Sequence, residues 1–177
     1  MAELLAEGKY FARTIDTNMK LTQEILINAE QHKGTSIVEI LQNCVIFSDN
    51  VHGFYTDKEH KLDRQVILRH GEKMIFGTDN NKGIVLDGLK LKIVTIGENG
   101  VTEEDILTHD AHEESPFLHW MLIHMKGPDF PIALGVIREV KATTYDQKME
   151  DQIAEVKAKS NIHNITDLLH SGSTWTV

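Results

Sequence analysis

Apolar and polar positions follow two different periods along the first fifty residues. Tyr10-Phe11-Ala12-Arg13-Thr14 is short, partly aromatic and suited to a strand. In residues 19–33, Leu21, Ile25 and Ala29 recur every four positions, which puts them on one face of a helix. Asp16 or Thr17 offers a side-chain oxygen to the free N–H groups at its start. Gly34 suits a left-handed stop. Ser36-Ile37-Val38-Glu39-Ile40-Leu41 is β-branched and nearly all apolar, the pattern of a strand covered on both faces. Strand, helix and strand so close together predict a βαβ unit with parallel strands.

The pattern then changes. Residues 43–63 carry turn formers (Ser48-Asp49-Asn50, His52-Gly53) and a charged stretch, and read as a long connection with one helical turn. Lys73-Met74-Ile75-Phe76 and Lys82-Gly83-Ile84-Val85-Leu86 flank Asp79-Asn80-Asn81, which predicts a hairpin. Leu89-Lys90-Leu91-Lys92-Ile93-Val94 alternates and reads as a half-buried strand. Thr102 caps the acidic turn Glu103-Glu104-Asp105. Ser115-Pro116 reads as N-cap and first helical residue. Phe117, Trp120, Met121 and His124 follow at i, i+3, i+4 and i+7, and the apolar ones are expected to face the core. Gly127-Pro128 ends that helix. Ile132-Ala133-Leu134-Gly135-Val136-Ile137 is apolar throughout, which leaves strand and helix both open. Residues 145–160 read as a helix with Met149, Ile153 and Val156 on one face. A short helix over residues 165–170 starts near Asn164 or Thr166, and the tail from Ser171 has no clear period.

Composition narrows the class. Hydrophobic residues make up 41% of the 177, which excludes wholesale disorder. With 27 acidic residues against 18 basic ones, non-specific nucleic-acid binding has no electrostatic drive. No apolar run approaches the roughly 18 residues of a membrane span. The first seven residues lack the basic and apolar pattern of a secretory leader. A cytoplasmic protein, with neither nucleic acid nor membrane as partner, is the expectation. One cysteine, Cys44, rules out a disulfide framework or a four-thiolate site built within this chain.

Three groups of residues bear on chemistry. His109 and His112 stand among Asp110, Glu113 and Glu114, a ligand-rich stretch. Their i, i+3 spacing is weak for zinc, and a solvated acidic turn is the plainer reading. His119 and His124 read as packing or rim residues. The turn Ile15-Asp16-Thr17 carries a carboxylate and no glycine, so it does not make a phosphate cradle. Cys44 follows the second parallel strand, where ligands gather in open α/β sheets. By itself it reads first as a small buried hydrophobe. A nucleophile would need a base, and a cluster ligand would need partner cysteines.

Phe11-Ala12-Arg13-Thr14-Ile15-Asp16 and His32-Lys33-Gly34-Thr35-Ser36-Ile37-Val38-Glu39-Ile40-Leu41-Gln42-Asn43-Cys44-Val45-Ile46-Phe47 closely resemble the β subunit of 2-oxoacid:ferredoxin oxidoreductases, in particular the 2-oxoglutarate type. Leu107-Thr108-His109-Asp110-Ala111-His112 and Phe130-Pro131-Ile132-Ala133-Leu134-Gly135-Val136-Ile137-Arg138 resemble the C-terminal region of that subunit. The resemblance implies an α/β fold. Residues 1–50 would be the closing βαβ part of a thiamine-diphosphate-binding, Rossmann-like parallel sheet. Residues 51–177 would be a C-terminal extension with a β-hairpin and helices.

The family's β subunit also carries a Cys-x-x-Cys pair, a further cysteine and a Gly-Asp-Gly-Asp motif whose residues hold Mg2+ and the diphosphate of thiamine diphosphate. None of these occurs in this sequence. By the resemblance, Cys44 takes the place of the fourth cysteine ligand of a 4Fe-4S cluster. Met1 would then begin a C-terminal piece that binds no cofactor and is inactive alone. The implied activity of the whole complex is oxidative decarboxylation of a 2-oxoacid to acyl-coenzyme A, with electrons passed through the cluster to ferredoxin. The implied partners are an α subunit, ferredoxin and a second copy of the chain. Two other readings stand beside this one: a non-catalytic subunit-association module, and a small metal-dependent hydrolase built on His109 and His112.

Overall fold

The computed structural model describes residues 8–173 and residue 175. The leader reading of the first seven residues and part of the tail lie outside the described residues. The chain divides into two compact units, Met1–Ala142 and Thr143–Val177.

The first unit is built around the predicted βαβ. Strand β1 (Tyr10–Ile15) is buried along its whole length. Helix α1 (Met19–Gln31) leads to β2 (Ser36–Leu41), which pairs parallel with β1 from Tyr10↔Ser36 to Ile15↔Leu41. The helix buries Leu21 and Ile25, as the four-residue spacing requires, and Ala29 packs beside them. Its cap is Asn18, whose side chain accepts from the Leu21 N–H at 3.2 Å, rather than Asp16 or Thr17. Asp16 is engaged elsewhere, accepting from the Asn43 N–H at 2.9 Å.

The undecided apolar stretch is a strand, β7 (Ile132–Glu139). It lies inside the sheet, antiparallel to β1 and parallel to β3 (Gln65–Leu68), giving the order β2-β1-β7-β3. Burial on both faces explains why its sequence shows no alternation. Gly135 has φ +115°, and a Cβ there would lie 2.3 Å from the Leu68 carbonyl oxygen, so the β3–β7 contact admits only glycine. Strand β2 departs from its expectation. It sits at the sheet edge and is mostly half-buried, with Ile40 exposed, because no strand among the described residues pairs its outer side.

A core lies on each face of this sheet. Tyr10, Ala12, Ile132 and Leu134 meet α1 on one side. Phe11, Val66, Ala133 and Ile137 meet the predicted hairpin region on the other, through Met74, Phe76 and Ile84. That region is a three-stranded antiparallel sheet of β4 (Ile75–Phe76), β5 (Lys82–Asp87) and β6 (Lys90–Thr95). Asn80 takes φ +51° in its first turn. The long connection before β3 holds two short helices, α2 (Gly53–Thr56) and α3 (Lys61–Arg64), rather than one turn. Thr102 and Asp105 cap the acidic turn reciprocally, with the Thr102 N–H donating to the Asp105 carboxylate at 2.8 Å.

Helix α4 (Phe117–Ile123) corrects the sequence reading twice. Pro116 is its N-cap, and Ser115 contributes no side-chain cap. Its core face carries His119, Leu122 and Ile123, while Phe117 is 52% and Trp120 40% exposed. In seven residues that are apolar on nearly every side, periodicity does not choose a face. Buried Arg138 does, by drawing His119 inward.

In the second unit, α5 (Tyr145–Lys159) is capped by Thr144, and α6 (Ile165–Leu169) by Asn164. The stripe of Met149, Ile153 and Val156 is present on α5 but exposed.

Candidate thiolate loop and buried histidines

Residues 42–50 leave the carboxyl end of β2 and fold back on themselves. The Asn43 side chain holds the ends together: its amide donates to Asp49 at 3.0 Å, and its oxygen accepts from the Asn50 N–H at 2.7 Å. Asn50 takes φ +56°, a conformation asparagine tolerates. The Ser48 N–H donates to the Cys44 carbonyl at 2.9 Å, closing the turn. Cys44 is therefore exposed, not the buried small hydrophobe that its residue type favours.

Backbone N–H groups of Phe47, then Ile46, and also Ser48 point at the sulfur and hold the Cys44 thiol below its usual range. Such donors favour thiolate, the form that binds metals. Val45, Ile46 and Phe47 around it are 74%, 81% and 90% exposed, so the sulfur stands in an apolar rim at the surface.

This donor set fits one ligand position of an iron–sulfur cluster, which thiolates hold and sulfur-directed hydrogen bonds tune. Among the described residues no group of three or more His, Cys, Asp or Glu side chains is placed to hold a metal ion. The other ligands would have to come from outside this chain. The neighbouring turn does not fit a diphosphate, since Asp16 presents a carboxylate and is already hydrogen-bonded to Asn43.

The histidines sort differently from their sequence reading. His109 is not in a solvated turn: it is 1% exposed, and its Nε2–H donates to the Val136 carbonyl at 2.9 Å. Burial pushes its pKa down to about 4, so the ring is neutral, and Nδ1 has no hydrogen-bond partner. His119, also buried, donates from Nε2 to the Asp110 carbonyl at 2.7 Å and accepts at Nδ1 from Arg138 at 3.0 Å. Burial lowers its pKa as well. That is the packing role the sequence assigned to it. His124 is a rim residue, with Nδ1 2.7 Å from the Trp120 carbonyl.

His112 packs against His70 with ring centroids 4.0 Å apart and the rings tilted by 47°, and its Nδ1 donates to the Glu139 carbonyl at 2.6 Å. His109 and His112 thus face different surroundings, and the hydrolase reading loses its geometric basis. Sequence reasoning overlooked Arg138, which anchors the carbonyls of Gly8, Glu113 and Glu114 as well as His119. A cation closing the apolar run 132–137 was the available signal.

The fold and loop define an α/β chain with a surface thiol at the carboxyl end of two parallel strands. Comparison with known proteins gives that class a closer likeness. The chain is 31% identical over 175 residues to 2-oxoglutarate oxidoreductase subunit KorB of Mycobacterium tuberculosis (strain ATCC 25618 / H37Rv), covering 97% of this chain and 46% of that protein. The chain thus spans about half the length of this curated relative, and the resemblance seen in its motifs holds over nearly all of it. No family model and no solved structure matches. No helix among the described residues is long and apolar enough to cross a membrane.

Proposed function

We propose that this chain supplies the C-terminal region of the β subunit of a 2-oxoacid:ferredoxin oxidoreductase acting on 2-oxoglutarate. The observation that carries this reading is the Cys44 loop. It presents an exposed thiol, held below its usual pKa by backbone N–H groups, within the stretch that most resembles that family, in a chain 31% identical to a 2-oxoglutarate oxidoreductase subunit.

Cys44 binds one iron of a 4Fe-4S cluster, and the N–H groups of Ile46, Phe47 and Ser48 steady its charge. The cluster, when bound, accepts and passes on single electrons. Thiamine diphosphate and Mg2+ are held by residues outside this sequence, since neither Asp16 nor any nearby residue makes a diphosphate cradle. An α subunit, ferredoxin and a second copy of the chain are its partners, coenzyme A takes the acyl group, and the complex works in the cytoplasm. Alone, the chain has no oxidoreductase activity.

The test is activity of the complete complex. With this chain in place in its β subunit and the α subunit present, the complex reduces ferredoxin when given 2-oxoglutarate and coenzyme A. Failure to reduce ferredoxin with any 2-oxoacid, in a complex loaded with thiamine diphosphate and cluster, would overturn the reading.

A further inference from the structure

His70 and His112 form a surface pair that neither the core nor the Cys44 loop uses. His70 stands two residues past the carboxyl end of β3. His112 follows Ala111, whose carbonyl accepts from the Glu139 N–H at the end of β7. Both residues are exposed, so burial does not account for rings packed 4.0 Å apart.

The hydrogen bonds around the pair set both rings in one tautomer. Asp110 Oδ1 accepts from the His112 N–H at 2.9 Å and lies 3.3 Å from His70 Nδ1. His112 Nδ1 donates to the Glu139 carbonyl at 2.6 Å. Each ring therefore meets an oxygen acceptor at Nδ1, which holds its proton there and leaves the lone pair on Nε2. Among the described residues neither Nε2 has a hydrogen-bond partner. Metal-binding histidines carry this arrangement, with Nδ1–H on a carboxylate or backbone carbonyl and Nε2 left for the ion. The charges nearby suit a cation. Asp110, Glu113 and Glu114 share the segment with His112, and the cation beside His70, Arg69, is held by both carboxylate oxygens of Glu24.

Imidazole nitrogens select Zn2+, Ni2+ and Cu2+ over Mg2+ and Ca2+, which prefer oxygen. Two Nε2 atoms bound to one tetrahedral Zn2+ place their ring centres about 5 Å apart. The pair reaches that spacing by opening about 1 Å, which two exposed rings can do. No third His, Cys, Asp or Glu side chain among the described residues completes the set, so water fills the other positions.

We propose that His70 and His112 bind one divalent transition-metal ion through their Nε2 atoms, oriented by Asp110 and the Glu139 carbonyl. The bound ion ties the segment after β3 to the segment 110–112. This site does not depend on the reaction in the functional reading above.

The test is calorimetric titration of the 177-residue chain with Zn2+, and with Mg2+ for comparison. The chain carries Cys44→Ser, which removes the competing thiol. Zn2+ should bind at one equivalent with a dissociation constant below about 0.1 mM, and Mg2+ should give no such binding. His70→Ala and His112→Ala should each weaken Zn2+ binding at least about 10-fold, and Asp110→Asn about 10-fold. His60→Ala is the control: its Nδ1 also meets a carboxylate, Asp57 at 2.8 Å, but no second histidine ring packs against it, so Zn2+ affinity should be unchanged. In the chain without histidine substitutions, long-range 1H–15N spectra should show the Nε2 resonances of His70 and His112 moving together as Zn2+ is added. That readout keeps the test decisive where a variant fails to fold. Zn2+ binding weaker than about 0.1 mM would overturn the proposal, as would binding indifferent to both alanine substitutions or Nε2 resonances that stay in place. Each of these failures leaves the ferredoxin-reduction test of the functional reading standing.

Discussion

Two regions of this molecule carry its titratable chemistry, and they are built on opposite plans. The Cys44 loop is exposed, and its sulfur is surrounded by backbone donors. The cluster of His109, His119 and Arg138 is buried, and its polar atoms are matched mainly to backbone carbonyls. In the loop, hydrogen bonds stabilise a charged form and leave it open to a ligand. In the interior, burial drives two histidines neutral, and their role is to hold a surface segment to β7. Ionisable residues mark function where the charged form is favoured and accessible. They mark architecture where burial favours the neutral form.

The contrast breaks first at Arg138. Its guanidinium joins Gly8, Glu113, Glu114 and His119, all carried by segments outside β7. Arg138→Met should destabilise the fold by about 3 kcal/mol or more, because it leaves the buried His119 Nδ1 and three part-buried carbonyls without their donor. Urea unfolding followed by fluorescence measures this. A loss under about 1 kcal/mol would mean that the interior network is not structural.

The next effect is a pH dependence. His109 titrates near 4 in the folded chain, below the ordinary histidine value, so the unfolded chain binds the extra proton first. The stabilisation from keeping it neutral is complete above the unfolded value. It is lost as pH falls from about 6.5 to about 4, and amounts to roughly 3 kcal/mol. His119 adds in the same direction. Stability measured against pH should fall through this window, and His109→Gln should flatten part of the fall. An unchanged slope in that variant would put the neutral ring in doubt.

The smallest expected effect is at Cys44. Cys44→Ser should change stability by no more than about 0.5 kcal/mol, as for other exposed positions. A large loss would make the residue structural and erase the distinction between the two regions.

What could be read from the sequence follows the same division. The β1–α1–β2 unit was legible because local signals agree, an apolar strand and a four-residue spacing with contacts close in sequence, although the helix ends at Gln31 on an extended His32 rather than on a left-handed Gly34. The hairpin and the Thr102 cap were legible for the same reason. The face of α4 was not, because the choice depends on Arg138 meeting His119 nineteen residues away. The strand identity of β7 was hidden by its burial between β1 and β3, which removes alternation. The exposure of Cys44 follows from Asn43 bridging Asp16, Asp49 and Asn50, and residue type alone argued the other way. The position of Cys44 after a parallel strand was the part of the site the sequence did contain.

The most direct test of the central claim, that Cys44 is a cluster ligand, is electron paramagnetic resonance of the reduced complex carrying Cys44→Ser. The account predicts that the 4Fe-4S signal is lost or its g-values shift, while the subunits still assemble. A signal identical to that of the unsubstituted complex would remove Cys44 from the ligand set and contradict the account.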